Sequence, residues 1–262
     1  MEALQVNAPR IVLFGVPVHA VSMSTALDIV DRSIRNRDRL HIGVVNAAKV
    51  VNMRRNPMLR ADVLSSDLIL ADGIAIVWAS RLLGEALPER VTGIDLMTGI
   101  LDRGNKYHYA VFCLGASEEV SRKVAERIRV DYPNVSVCGR HHGYFDDADE
   151  RAVVDSIAAA RPDILFVAMT SPKKEKFMAK WIDHMNVPVC HGVGGSFDVL
   201  AGKVERAPAS YQRLGLEWFY RLKQEPRRLW RRYLVTNALF CWMVLTELWL
   251  RLLGRRTMHD KI

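Results

Sequence analysis

The chain has 262 residues, of which half are apolar and a quarter charged, the composition of a globular protein with an ordinary hydrophobic core. No low-complexity run or internal repeat occurs, which excludes disordered and solenoid proteins. The net charge of +8 lies mostly at one end, because residues 213–262 carry eleven Lys or Arg against four Asp or Glu. A localised basic segment predicts an anionic partner: a lipid surface, a diphosphate or a nucleic acid.

The apolar run at residues 11–20 lacks the form of a signal peptide, because Gly15 and Pro17 interrupt it and no small-residue cleavage site follows. We expect a first strand there instead. The four cysteines have neither paired nor metal-type spacing, so we expect free thiols in a reducing cytosol.

From residue 10 to about residue 202, short apolar runs alternate with stretches of helical spacing. The strands predicted in this way are 11–14, 41–45, 67–71, 109–114, 135–138, 164–169 and 187–190. The predicted helices are 23–36, 47–55, 73–83, 117–130, 149–160 and 172–184. The strands are apolar on both faces, and their alternation with helices predicts an α/β fold, a mostly parallel sheet with helices on both faces. We expect residues 1–202 to form this domain and residues 203–262 a helical appendage.

Three of the predicted strands end in turns that precede helices. Free backbone N–H groups at a helix start favour phosphate, so these turns are candidates for a nucleotide site. Ser117 and Ser171 stand where helix N-caps are expected, with Pro172 at the first helical position of the second helix. The chain has no GxGxxG or phosphate-loop lysine motif, and a lone glycine-rich turn is more often a plain strand-to-helix connection than a phosphate site. The candidate nucleotide-binding residues are Gly115, Ser171, Gly192, Gly194 and Gly195.

Asp72 and Asn46 each follow a predicted strand, where an α/β fold places its ligand crevice. A carboxylate there could serve as a general base, and an amide could hold a sugar hydroxyl. On the residues alone, an ordinary turn or helix cap is the first interpretation of Asp72, and a cap of the next helix is the alternative for Asn46. Asp147 and Asp149 match a metal-binding DxD pattern, but they stand at a polar helix start, where acidic residues are favoured anyway. The histidines have no metal spacing, and we predict no structural zinc.

The C-terminal segment mixes arginine with aromatic residues. Residues 233–246 are almost wholly apolar, yet shorter than the ~20 residues of a spanning helix. Tryptophans flanked by arginines favour a helix in the membrane interface; a helix packed on the domain or on a second subunit is the alternative. Arg221, Arg228 and Arg231 fall on one face if the helix continues across Pro226. Guanidinium groups bind phosphate bidentately, so this face predicts a diphosphate site, with a solvated basic stripe as the alternative.

Several long motifs, in order along the chain, resemble one known family. They are VVNAAKVV at 44–51, ADGIAIV at 71–77, LPERVTGIDL at 87–96, GYF at 143–145, PDILFVAMTSPKKEKF at 162–177, GVGGSFDVLAGKVERAP at 192–208 and LGLEWFYRLKQEPRRLWRRYL at 214–234. From about residue 10 to residue 235 the chain resembles the WecG/TagA/CpsF glycosyltransferases (glycosyltransferase family 26).

The resemblance implies an inverting transfer of a sugar from a UDP-sugar to a polyprenyl-diphosphate-linked acceptor. It implies a Rossmann-like α/β core and a metal-independent site without a cofactor. It also implies an appendage that helps to complete the site and reaches the membrane. Asp72 matches the position of the family's catalytic base, which takes the proton of the acceptor hydroxyl. The family's pocket and diphosphate-binding positions correspond here to Asn46, Arg90, Arg221, Arg228 and Arg231.

Two residues depart from the family pattern near the expected sugar pocket. Val44 replaces a common Thr and Lys174 replaces a common Gln, and we assign Lys174 to acceptor or sugar binding. The motif FGVPVHA and the arginine-rich end favour the exopolysaccharide branch, which includes xanthan-type β-1,4-glucosyltransferases. The leading prediction is therefore transfer of glucose from UDP-glucose to glucose-diphosphate-polyprenol in exopolysaccharide assembly.

Two alternatives stand beside this prediction. The first is a transferase of UDP-N-acetylmannosamine, or its uronate, to N-acetylglucosamine-diphosphate-polyprenol. The second is a non-catalytic basic membrane-binding protein. The expected partners are the UDP-sugar, the lipid-linked acceptor and an anionic membrane surface but no nucleic acid, and self-association is left open. The expected location is peripheral (monotopic), on the cytoplasmic face of the bacterial inner membrane.

Overall fold

A computed structural model describes residues 1–253, with only the backbone described for Arg213, Arg228 and Arg232. Its strands are β1 (Arg10–Leu13), β2 (Val16–His19), β3 (Leu40–Val45), β4 (Leu68–Ala71), β5 (Ala110–Gly115), β6 (Ser136–His141), β7 (Ile164–Ala168) and β8 (Val189–Gly192). Its helices are α1 (Met23–Asn36), α2 (Ala47–Arg55), α3 (Pro57–Leu64), α4 (Ile74–Leu82), α5 (Gly93–Tyr107), α6 (Glu118–Asp131), α7 (Glu150–Ala160), α8 (Lys173–Met185), α9 (Ser196–Leu200), α10 (Ala209–Arg213), α11 (Glu217–Gln224) and α12 (Pro226–Leu252).

Strands β3 to β8 form one parallel sheet in the order β4-β3-β8-β7-β5-β6. Alternate residues of each strand point to opposite faces. In β4, Leu68 and Leu70 join a core beneath α1, α5 and α6, whereas Ile69 and Ala71 join a core beneath α2 and α4. Helices α7 and α8 cover the rest of that second face. The predicted parallel α/β sheet with helices on both faces is confirmed.

The first predicted strand does not belong to this sheet, which corrects the sequence-based expectation. β1 pairs antiparallel with β2 in a separate hairpin. Phe14 (φ 55°) and Gly15 (φ 73°) form its two-residue turn, and consecutive positive φ angles suit the twist of a tight hairpin. His19 at the end of β2 accepts a hydrogen bond at Nδ1 from the N–H of Ile69, which ties the hairpin to β4.

Helix α12 packs on the second face of the domain. Its residues Phe240, Met243 and Val244 are buried in the core that contains the hairpin and α4. The ring of Phe240 meets that of Phe14 edge-on, with 5.4 Å between centroids. The opposite side of the helix exposes large apolar residues: Trp230, Leu234, Val235, Trp242, Leu245, Trp249 and Leu252. By length and composition alone, Leu229–Leu252 would also suffice to cross a membrane.

The helix expected to continue across Pro226 is broken there. Helix α11 ends at Gln224, Glu225 is non-helical, and Pro226 begins α12 at its first position. Proline suits a helix start because it has no N–H to donate. Arg221 and Arg231 therefore lie on two different helices, and the single arginine face predicted from their spacing is wrong.

Candidate active site

The carboxyl ends of parallel strands meet at one edge of the sheet, and the candidate residues line this edge. In spatial order they are Asp72 after β4, Asn46 after β3, Gly192–Gly195 after β8, Met169–Ser171 after β7 and Gly115–Ser117 after β5. The chain leaves β5 towards β6 on one side and leaves β7 towards β8 on the other. Such a topological switch point is where open α/β sheets bind ligands. At about 4.8 Å per strand, Asp72 and Gly115 lie roughly 19 Å apart along the edge.

Glycine is required where β5 and β7 end side by side. Gly115 has a φ of +130°, and a Cβ atom there would stand 2.4 Å from the carbonyl oxygen of Ala168. Gly143, after β6, is pressed against Gly115, since a Cβ atom at 143 would lie 3.1 Å from Gly115 Cα. Both glycines are therefore required by the close approach of the strand ends to one another.

Two helix caps were predicted beside this crevice, and one of them is confirmed. Ser117 Oγ accepts a hydrogen bond from the N–H of Val120 and caps α6. Ser171 does not cap α8, because the cap position falls on Pro172 and the helix begins at Lys173. Ser171 is exposed at the turn, one residue before the cap.

The carboxylate of Asp72 is held at both oxygens. Oδ1 accepts a hydrogen bond of 2.8 Å from the N–H of Gly93, and Oδ2 lies 3.5 Å from Asn46 Nδ2. Asn46 is also the N-cap of α2, with Oδ1 accepting from the N–H of Lys49 at 3.0 Å. The two residues predicted from separate strand ends are thus brought together. A half-buried carboxylate with a fixed orientation and free lone pairs can accept a proton.

His191 holds the backbone of Gly93, which in turn binds the Asp72 carboxylate. Its buried ring lies in β8, and Nε2 is 3.1 Å from the carbonyl oxygen of Gly93. Burial lowers the pKa of His191 to about 4, so the ring is neutral at physiological pH and Nε2–H donates to Gly93. The imidazole fixes the start of α5, whose N–H binds Asp72.

Three buried charged residues lie beside Asn46 and the loop after β8. Glu175 Oε1 is 2.8 Å from Lys49 Nζ and 3.5 Å from Lys174 Nζ. Burial alone would raise the pKa of Glu175, but the two ammonium groups outweigh it and hold that pKa at about 2. Lys174 was predicted from its departure from the family motif. Lys49 and Glu175 were not predicted, because no local sequence pattern indicates a contact between residues 126 positions apart.

Arginine contacts join the C-terminal segment to the same edge. Arg90 Nη1 lies 2.5 Å from Glu217 Oε2, which joins the loop before α5 to α11. Arg221 of α11 stands over the loop after β8, since a Cβ atom at Gly195 would be 4.0 Å from its Nη1. Arg231 is exposed near the start of α12, whereas the Arg228 side chain lies outside the described residues.

A close contact fixes the appendage against the site. Gly215 has a φ of +71°, and a Cβ atom there would stand 2.5 Å from Ile74 of α4. Ile74 follows Asp72 and Gly73 directly. The appendage therefore packs on the segment that carries the candidate base, and both the positive φ and the close approach require glycine at position 215.

The DxD pattern lies at a helix start. Asp146 Oδ1 accepts hydrogen bonds from the N–H groups of Ala148 and Asp149, and Asp149 is the N-cap residue of α7. Asp147 and Asp149 are both exposed. Within residues 1–253, no three His, Cys, Asp or Glu side chains gather as a metal site would need.

The fold and this edge define a class of protein: an α/β enzyme with a candidate carboxylate base at one end of its crevice and glycine turns and cations along the rest. A family model described as "Glycosyl transferase WecG/TagA/CpsF family" matches residues 11–253, and the chain belongs to this family. It is a glycosyltransferase, as the sequence predicted.

Several similar proteins share the name N-acetylglucosaminyldiphosphoundecaprenol N-acetyl-beta-D-mannosaminyltransferase. One from Bacillus spizizenii is 42% identical over 180 residues, covering 69% of this chain and 69% of that protein. One from Staphylococcus aureus (strain MW2) is 32% identical over 227 residues, covering 86% of this chain and 89% of that protein. These names do not support the predicted transfer of glucose to glucose-diphosphate-polyprenol, and they fit the alternative acceptor and sugar.

Proposed function

We propose that this protein transfers N-acetylmannosamine, or its uronate, from a UDP-linked donor to N-acetylglucosamine-diphosphate-polyprenol. The names of its relatives support this choice of sugar and acceptor. The observation that carries the mechanism is the Asp72 carboxylate, oriented by Gly93 and Asn46 at the carboxyl edge of the sheet.

The reaction is a single displacement at the anomeric carbon. Asp72 takes the proton from the acceptor hydroxyl, whose oxygen bonds to the anomeric carbon from the side opposite the leaving group. The bond to the donor's phosphate oxygen breaks, its electron pair stays on that oxygen, and UDP leaves with inversion of configuration. The crevice at Gly115, Ser171 and Gly192–Gly195 binds the nucleotide.

Positive charge on the protein takes the place of a metal ion in this proposal. Arg221 over Gly195 is positioned to meet a diphosphate, and Arg90 is held beside it through Glu217. Arg231 is exposed on α12. We assign it, together with Arg228 of the same helix, to the diphosphate of the lipid-linked acceptor. Guanidinium groups suit this role because they bind phosphate oxygens in pairs.

The acceptor reaches the site from the membrane, on which the protein lies peripherally at the cytoplasmic face. Phe240 packs α12 on the domain, so lipid cannot surround this helix on all sides. Its outer side, with Trp242 and Trp249, forms an apolar face in the manner of an interfacial helix. Trp78 and Leu82 of α4 are exposed too, and Arg251 of α12 donates a hydrogen bond to the carbonyl of Leu83 where α4 ends.

The substitution Asp72→Asn tests the mechanism. The new amide oxygen still accepts from the N–H of Gly93, so folding and UDP binding should persist. Turnover should fall by about 10²- to 10⁴-fold, because no base is left to take the acceptor proton. Sugar transfer to a synthetic lipid acceptor measures this, with the exposed Asp147→Asn as the matched control. Turnover near that of the wild type in the Asp72 variant would remove the residue from the mechanism.

A further inference from the structure

Two buried ammonium groups share one carboxylate at the side of the site. The side chains of Lys49, Lys174 and Glu175 are each less than a tenth exposed, and both lysines approach Glu175 Oε1. Among the described residues, Glu175 Oε2 has no hydrogen-bond partner. One positive charge is therefore left over in a place where an unpaired charge is costly.

The surplus charge faces the loop after β8. A Cβ atom at Gly192 would stand 3.0 Å from both Cδ and Cε of Lys174, and one at Gly194 would stand 3.6 Å from Nζ. Because both positions are glycine, neither of them places a side chain against the lysine. Burial, followed by the charge of Lys49, lowers the pKa of Lys174 to about 8, whereas Glu175 and Asp72 raise it.

We infer that Lys174, held by Glu175 and Lys49, is the cation that stabilises the phosphate oxygen of the departing nucleotide diphosphate. The inference rests on the proposed function and goes beyond the sugar-binding role predicted for this lysine. Before reaction, the charge of Asp72 balances the surplus cation. Once Asp72 holds the acceptor's proton, that balance is lost, and the electron pair of the breaking bond arrives on the phosphate oxygen. The preorganised cation then meets new negative charge where it develops.

Binding of UDP tests this without sugar transfer. Lys174→Gln keeps a polar side chain but removes the charge, and Lys176→Gln is a matched exposed control on the same helix. Titration calorimetry at pH 7 should show UDP bound about tenfold or more weakly by the Lys174 variant and equally well by the control. Uridine, which has no phosphate, should bind both variants equally. Wild-type affinity for UDP should fall between pH 7 and pH 9.5 as Lys174 loses its proton, more than that of the Lys174 variant.

Unchanged UDP affinity in the Lys174 variant would overturn the inference. Instead of the diphosphate, Lys174 could contact the carboxylate of a uronate donor sugar. Transfer is therefore compared with UDP-N-acetylmannosamine and with its uronate, and a loss confined to the uronate would also overturn it. A wild-type protein that binds UDP through Lys174 but transfers neither sugar would contradict the proposed function and leave the cation's contact with diphosphate standing.

Discussion

At the scale of single residues, Asn46 has two roles, one in the stability of α2 and one beside the candidate base. Its Oδ1 atom caps α2, and its Nδ2 atom approaches the carboxylate of Asp72. Asn46→Ala should lower the free energy of unfolding by about 1 kcal/mol through loss of the cap and should also lower turnover. Asn46→Ser keeps a capping oxygen but has no amide, so it should retain stability and lose turnover. Urea unfolding and sugar transfer separate the two effects, and full activity in the serine variant would show that the amide is dispensable.

Lys174 should make the free energy of unfolding depend on pH. Its pKa is lowered from 10.5 to about 8 in the folded protein. Between these values the unfolded chain keeps a proton that the folded chain has lost, so stability should rise with pH by about 3 kcal/mol from this group. Lys174→Met should be more stable than the wild type at pH 7, and the advantage should vanish near pH 10.5. Urea unfolding measures this difference. If the free energies of unfolding of the two proteins differed by a constant amount from pH 7 to 10.5, that result would contradict the surplus charge.

Sequence reasoning found the residues that follow strands and missed those that meet across the fold. Asp72 and Asn46 were found because the ends of parallel strands converge on one edge. Lys49 and Glu175 were not, since each looks like an ordinary charged residue of its helix until α2 and α8 are packed. Ser171 was assigned as a helix cap with Pro172 at the first helical position, but the structure places Pro172 at the cap and begins the helix at Lys173.

At the scale of elements, α5 was missed because Gly93, Gly99 and Gly104 lower its helix propensity. Packing explains one of these glycines: a Cβ atom at Gly99 would stand 3.0 Å from Leu27 of α1. The signal that could have found the helix is its start, where Thr92 accepts from the N–H of Asp95. The hairpin of β1 and β2 was missed for a similar reason, since Phe-Gly is not among the usual two-residue turns.

Helix α12 should separate folding from membrane binding, because its two sides have different neighbours. Phe240→Ala removes a buried ring from the core that contains Phe14 and should cost about 3–5 kcal/mol of stability. Trp242→Ala, on the exposed side, should leave stability unchanged and weaken binding to anionic vesicles. Thermal unfolding and vesicle sedimentation measure the two effects. A large loss of stability in the Trp242 variant would mean that this side packs on protein rather than lipid.

At the scale of the whole molecule, the basic and apolar surfaces belong to the end of the chain that also contacts the candidate site. Glu217 of α11 holds Arg90, and Gly215 packs on Ile74 beside Asp72. The segment that would lie on a membrane is thus in contact with the segment that carries the candidate base. The alternation of strands and helices predicted the fold class, but these contacts join residues more than 120 positions apart and needed the structure.

The most direct test of the proposed function is a donor and acceptor panel. Labelled sugar is transferred from UDP-N-acetylmannosamine and from UDP-glucose onto synthetic N-acetylglucosamine-diphosphate-lipid and glucose-diphosphate-lipid, with EDTA present and Asp72→Asn as control. We expect N-acetylmannosamine to reach the N-acetylglucosamine lipid in EDTA, and the Asp72 variant to transfer it about 10²- to 10⁴-fold more slowly. Transfer of glucose alone, to the glucose lipid, would contradict the proposal and favour exopolysaccharide assembly.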